Sequence, residues 1–219
     1  MLDDLTTNRR LWLATATLAL LAATLGLLQP SIYARVVTDR ILPGVVAQDA
    51  FTLVLAVAAL ALAWRVGEGE SRLQALLLGL MGYLFYAYGV YAIEQLYTVA
   101  YFAYLAVFGL AAYAIVYALV NLRRSKLDGA SLPRYTRIVS LVGLVGTPAV
   151  FVPLWASQLL PLIRSGERLE YLYAVYVLDL SFVMPAFLVV ALLDYRRDVL
   201  GYALAPAMFV VGFAVLAPL

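Results

Sequence analysis

Seven apolar stretches divide this chain, most of them near the length of a membrane crossing, and they constrain its fold more than any other feature. They run approximately over 11–29, 50–65, 73–93, 97–121, 137–163, 171–193 and 199–218. About 20 apolar residues in a helix cover the roughly 30 Å hydrocarbon layer. A backbone in lipid must satisfy its own hydrogen bonds, so each stretch is expected to be helical. The second is the shortest, but "FTLVLAVAALALAW" carries no charge before Arg65. With 65% hydrophobic and 13% charged residues, a chain of 219 residues cannot bury that surface in a water-soluble globule. The expected fold is all-α: one transmembrane domain over 1–219, a polytopic bundle of about seven helices with the lipid bilayer of the cell membrane as its partner. A cleaved signal peptide ending near "SIYA" is the alternative for the first stretch, whose apolar region exceeds the usual 7–15 residues or so.

Loop charge sets an expected orientation. With the N-terminus inside, the inner segments hold Arg9, Arg10, Arg65, Arg72, Arg123, Arg124, Lys126, Arg134, Arg137, Arg196 and Arg197. The outer loops hold Arg35, Arg40, Arg164 and Arg168. Eleven of the 15 cations then lie inside, as the positive-inside rule requires, and the C-terminus is expected outside. The basic loop "RRSKLDGASLPRYTR" suits anionic headgroups but reads first as a topology signal.

Several chemistries are excluded. Without cysteine or histidine there are no disulfides, iron–sulfur clusters, zinc–thiolate sites or His-ligated metals. No cofactor is expected. The net charge of +2 gives no reason to expect nucleic acid. No Gly-rich phosphate loop is present. The only lysine, Lys126, lies in a loop and cannot form a retinal Schiff base within the bundle. Asp128–Gly129 reads as a turn. No nucleophile–base pair points to an intramembrane enzyme.

Ionisable groups at membrane depth are costly and mark candidate sites. Asp179, in "YAVYVLDLSFVMPAFLVV", lies about nine residues into the sixth stretch, roughly 13 Å along a helix. Pro185 cannot bond the carbonyl of Ser181 one turn back, so a carboxylate, a hydroxyl and a freed carbonyl are expected close together. A helix-packing role for Asp179 is the alternative. The stretch "LFYAYGVYAIEQLYTVAYFAY" (84–104) adds phenols. Tyr83, Tyr86, Tyr91 and Glu94 fit within about 140° of one helix face. Tyr97, Tyr101 and Tyr104 share another. Headgroup anchoring accounts for Tyr91 and Tyr97. It leaves Tyr83, Tyr86 and Tyr104 needing partners at depth, in an outward-opening, hydroxyl-lined crevice or in ordinary helix packing. Asp49 opens the second stretch, where it suits the helix N-terminal dipole. Arg35 and Arg40 are candidate partners for the acidic groups. Glycines and prolines in "GLVGTPAVFVPLWASQLLP" predict kinks and close contacts in the fifth helix.

Four segments, "AQDAFTLVLAV" (47–57), "GLMGYLFYAYGVYA" (79–92), "YFAYLAVFGLAAYAIVYAL" (101–119) and "LDLSFVMPAFLVVALLDYRRDVLGYALAP" (178–206), resemble a group of uncharacterised prokaryotic multipass membrane proteins. The resemblance implies a Gly-Gln-Asp start to the second helix, where Ala47 stands here for the glycine. It also implies tyrosine-rich third and fourth helices and an Asp before a Pro in the sixth. It implies no activity. Two functional expectations follow from the residues. One is a secondary carrier or channel for a small solute, cation or proton, with Asp179, Ser181, Tyr83, Tyr86, Tyr104, Glu94 and Asp49 along its path. The other is a non-transporting subunit, sensor or binder of a lipid or quinone. Assembly as a homo-oligomer or with a partner subunit is compatible with either.

Overall fold

A computed structural model describes residues 1–122, 133–169 and 171–216. Arg123, Arg124, Lys126, Asp128 and Gly129, singled out above, lie outside the described residues. Among the described residues, seven helices are long and apolar enough to cross a membrane: α1 Leu5–Leu28, α2 Leu42–Arg65, α3 Ser71–Ile93, α4 Tyr101–Val120, α5 Arg134–Ser165, α6 Tyr173–Tyr195 and α7 Val199–Leu216. The chain is an integral membrane protein of the multipass kind by these helices. Residues 1–4, 66–70 and 196–198 share the near end of the bundle, and residues 29–41, 94–100, 166–169, 171 and 172 share the far end.

One boundary moves in a way that matters. Helix α2 starts at Leu42, not near residue 50, with Pro43 in its first turn. Proline is at home there, because its missing N–H would have had no partner anyway. Asp49 is therefore two turns inside α2 and does not sit at its N-terminal dipole, a correction to the expectation above. Asp179 also moves: α6 begins at Tyr173, so the carboxylate is six residues in, about 9 Å along the axis.

Helix α3 is the hub. It packs against α4, α7 and α2, against the first half of α6, and against α1, while α1 pairs with α2 and α4. Within its most apolar window 72% of α3 is buried, against 17% for α5 at the periphery. This explains why α3 can carry so many phenols: nearly every face has a protein neighbour to bond them. Gly79 and Gly82 let α7 approach, since a Cβ on Gly79 would stand 2.7 Å from Val210 Cβ and one on Gly82 2.5 Å from Val211 Cγ2. Small residues at such seams allow the backbone approach that holds membrane helices together.

The near end is fastened by polar bonds. Asp4 caps α1, its Oδ1 accepting from Thr7 N at 2.9 Å and its Oδ2 from Tyr117 Oη of α4 at 2.7 Å. Those donors hold the Asp4 carboxyl down at about 2 from its usual 3.8, with desolvation opposing them. The Leu2 amide donates to Gln74 Oε1 of α3 at 2.9 Å, and the Arg9 guanidinium donates to the Val66 carbonyl.

Helix α6 is not uniform. Residues Asp179–Val183 form one π turn, in which Met184 N donates to the carbonyl of Asp179, five residues back. Pro185 follows at once and has no N–H to give. The wider turn absorbs that missing donor, and π turns of this kind are frequent at functional sites.

Candidate functional site

Two buried carboxylates stand on either side of α3, and their surroundings differ in one decisive respect. Asp49 is saturated. Its Oδ2 accepts from Tyr33 Oη at 2.6 Å and its Oδ1 from Tyr91 Oη at 3.1 Å, and the Tyr91 proton is shared with the Val45 carbonyl at 3.2 Å. Because Tyr33 spends its proton on Asp49, Tyr104 must donate to the Tyr33 oxygen at 3.3 Å, and Thr98 Oγ1 donates to Tyr104 at 3.0 Å. Every hydroxyl in this chain points its proton toward the carboxylate, the arrangement a buried anion needs. Burial and the neighbouring Asp49 charge push the Tyr33 phenol above its ordinary range, which keeps it a donor. Arg35 and Arg40 are exposed; the phenols, not these cations, hold Asp49.

The other tyrosines of α3 divide among its neighbours. Tyr83 receives Gln48 Nε2 at 2.9 Å and exchanges a bond with Thr52 Oγ1 at 2.7 Å, both on α2. Tyr88 donates to the Ala19 carbonyl of α1 at 2.8 Å. Tyr91, expected at the headgroups, is buried and bonded to Asp49, whereas Tyr97 is 64% exposed. One helix face was expected to line a crevice. Of that face Tyr86, Tyr91 and Glu94 line one cavity, whereas Tyr83, and Tyr104 of α4, face packed protein.

Asp179 is different. Its Oδ2 accepts from Trp155 Nε1 of α5 at 2.7 Å. No hydrogen bond reaches its Oδ1 within bonding geometry among the described residues, although Asp179 is only 4% exposed. The Tyr86 phenol adjoins the carboxylate and is the other donor beside it. Asp179 also lines a cavity of about 370 Å³ set between α2, α3, α5, α6 and the end of α7. Its lining is mostly apolar, with Tyr86, Tyr91, Phe151, Trp155, Tyr171 and Tyr176 supplying aromatic rings and Gln48, Glu94 and Gln158 the other polar groups. A volume of this order, apolar walls and a few placed polar atoms are the usual attributes of a small-molecule site.

Glu94 closes the far end of the site. Its Oε1 accepts from the Ala174 amide at 2.7 Å, so a side chain at the end of α3 caps the first turn of α6. The Tyr173 hydroxyl donates to the Ile93 carbonyl beside it. Burial raises the Glu94 carboxyl above its usual value, with the Ala174 and Leu172 amides opposing that shift.

The structure thus gathers Asp179, Tyr86 and Glu94 around one cavity, with Asp49 reaching it only through Tyr91 and Gln48. Ser181 is exposed and belongs to a separate groove on the far side of α6. The wider π turn carries its hydroxyl away from Asp179. Trp155, Tyr33, Tyr176 and Gln158 were not singled out from the sequence. Trp155 in "PLWASQ" had one readable signal, an indole donor in a proline-bent helix near an intramembrane acid. A third buried acid, Asp194 at the near end of α6, was also missed. Its Oδ1 lies 3.5 Å from Arg137 Nε, and the same guanidinium donates to the Asp194 and Tyr195 carbonyls.

Comparison with family models finds no match, and comparisons with curated proteins and with solved structures find none either.

Proposed function

We propose that this protein binds a small amphipathic organic cation in the cavity beside Asp179 and carries it across the membrane. Asp179 supports the reading most directly: a buried carboxylate, tied by hydrogen bond to Trp155 through one oxygen, that lines an aromatic-walled space. An isolated buried anion is costly, and a bound ammonium or similar N–H donor would supply the missing partner. The rings of Tyr86, Trp155 and Tyr176 favour the same class of ligand, since aromatic faces attract a desolvated cation. The Asp49 cluster offers no such vacancy for a ligand and serves to hold α1, α2, α3 and α4 together.

The orientation that places 11 of the 15 cations inside puts the far end, and with it the cavity, toward the outside. Met184 and Phe187, which follow Asp179 toward the near end of α6, are buried and would close the site on that side. This is the one-sided access that a carrier needs in one of its states. The bend-prone α5, with Pro148, Pro153 and Pro161, and the π turn of α6 are the elements whose repacking would open the other side.

The probe is 4-phenylbutylammonium, and Trp155 reports on it in a Trp12→Phe/Trp64→Phe background. The expected results are saturable quenching of Trp155 and uptake into proteoliposomes, both reduced at least tenfold by Asp179→Asn. Binding without uptake would leave a receptor or accessory subunit with the same site. Quenching unchanged by Asp179→Asn would remove the site itself.

A further inference from the structure

We propose that the ligand of the Asp179 cavity enters from the bilayer, through the seam between α5 and the first half of α6, and that Tyr176 with Gln158 and Trp155 is the gate. This rests on the proposed site and adds the route by which it is reached.

The seam is closed by side chains, not by helix packing. Helix α5 packs closely on the second half of α6, Met184–Tyr195, and only weakly on the first half, Tyr173–Leu178. What bridges the gap is a short row of contacts. Trp155 Nε1 donates to Asp179 Oδ2 at 2.7 Å, and Tyr176 Oη donates to Gln158 Oε1 at 2.6 Å. The Trp155 and Tyr176 rings meet edge to face with centroids 5.2 Å apart. Phe151, Trp155 and Gln158 are spaced four and three along α5, and Tyr176 and Asp179 three along α6, so each set lies on one helix face.

Beyond this partition lies a second hollow, about 710 Å³, lined by the same two helices and by Gln95. Leu159, Leu162 and Leu180 give it apolar walls, and Glu167 and Arg168 lie at its far end. Exposed Val177 and Phe182 on α6 and Leu160 and Ile163 on α5 mark this side as facing hydrocarbon. Tyr176 lines both this groove and the Asp179 cavity. A membrane-dissolved amphiphile fits the groove with its polar group near Glu167 and Arg168 and its apolar body between the helices. One rotation of Tyr176, with loss of its bond to Gln158, joins the two spaces. The cation then passes from the groove to Asp179 without crossing bulk water, so the substrate class is an amine that partitions into lipid.

The chain has no native cysteine, which makes a clean test possible. Leu159→Cys and Val177→Cys face the groove and do not line the cavity. In the single-tryptophan background, reconstituted in vesicles, a short bis-maleimide bridge between them should slow association of 4-phenylbutylammonium at least tenfold. The equilibrium affinity should stay within twofold. Separately and without a bridge, Tyr176→Ala should raise the association rate at least fivefold. An unchanged rate in the bridged protein overturns the route, as does a Tyr176→Ala rate at or below the parent's. If the unbridged parent binds no probe, the proposed site fails and the route fails with it.

Discussion

Gly26 of α1 faces the carboxylate of Asp49 on α2 so closely that a single methyl group cannot be placed between them. A Cβ on Gly26 would stand 2.5 Å from the Tyr33 hydroxyl and nearer still to Asp49 Oδ2. Glycine is required here for space: the carboxylate occupies the volume its side chain would take. Gly26→Ala is therefore expected to destabilise the protein by about 2–4 kcal/mol, from overpacking and from displaced hydrogen bonds. Unfolding in detergent micelles measures it. In an Asp49→Ala background the cost of Gly26→Ala should shrink, because the group it collides with is gone.

Trp155 and Asp179 predict a second coupled pair. Trp155→Phe removes the indole donor on the Asp179 carboxylate and should cost about 1–3 kcal/mol. Adding Asp179→Leu should recover most of that loss, since a buried apolar pair leaves nothing unpaired. A double-mutant cycle of unfolding free energies checks the expectation. Strict additivity would show that the indole and the carboxylate do not depend on one another.

Asp4 gives a pH dependence with a definite sign. Its folded value, about 2, lies below the unfolded 3.8, so its stabilising effect is fully present above pH 3.8 or so. That effect fades as pH falls toward 2. Melting temperatures of the parent and Asp4→Asn should therefore differ at pH 6, with the parent higher, and converge near pH 2. A gap independent of pH would mean that the charge on Asp4 is not what Thr7 and Tyr117 stabilise.

Glu94 has the opposite sign. Burial raises its folded value, so its titration favours the folded state at low pH, and that contribution is lost as pH rises through the folded value. Glu94→Gln keeps an oxygen for the Ala174 amide and sheds the buried charge. Its stability relative to the parent should rise with pH across that interval. Glu94→Ala loses the cap and should cost about 1 kcal/mol at any pH. Calorimetric melting of the three proteins at pH 4 and pH 8 distinguishes these effects.

Ser181 provides the contrast. It is exposed on the groove side of α6, so Ser181→Ala should change stability by less than about 0.5 kcal/mol. It should also leave probe affinity at the Asp179 cavity unchanged, as read from Trp155 quenching.

The helices were legible because hydrophobic length is a local property that lipid enforces on each segment separately. The start of α2 was not: Pro43 and Gly44 look like a turn, but Pro43 suits a first helical turn, and Val45 and Gln48 are bonded to Tyr91 and Tyr83 of α3. Asp179 and Tyr86 could be singled out because ionisable and phenolic groups at depth stand out in apolar text. Their partners could not. Tyr33 reaches Asp49 from a loop 16 residues away, and Trp155 reaches Asp179 across 24 residues, distances that no periodicity encodes. Tyr83 and Tyr104 show the converse error. Shared helical phase places residues on one side of their own helix, but a hub helix has neighbours on every side.

The π turn of α6 has a further consequence for how this helix can change over evolutionary time. It amounts to one extra residue held within an otherwise regular rod, immediately before a proline. Deleting that residue alone would restore even pitch and drive the Pro185 ring against a carbonyl of the tightened turn. Replacing Pro185 alone would leave a slack loop with no occupant of the gap. The two irregularities therefore depend on one another, and a variant that straightens α6 without strain would have to lose both.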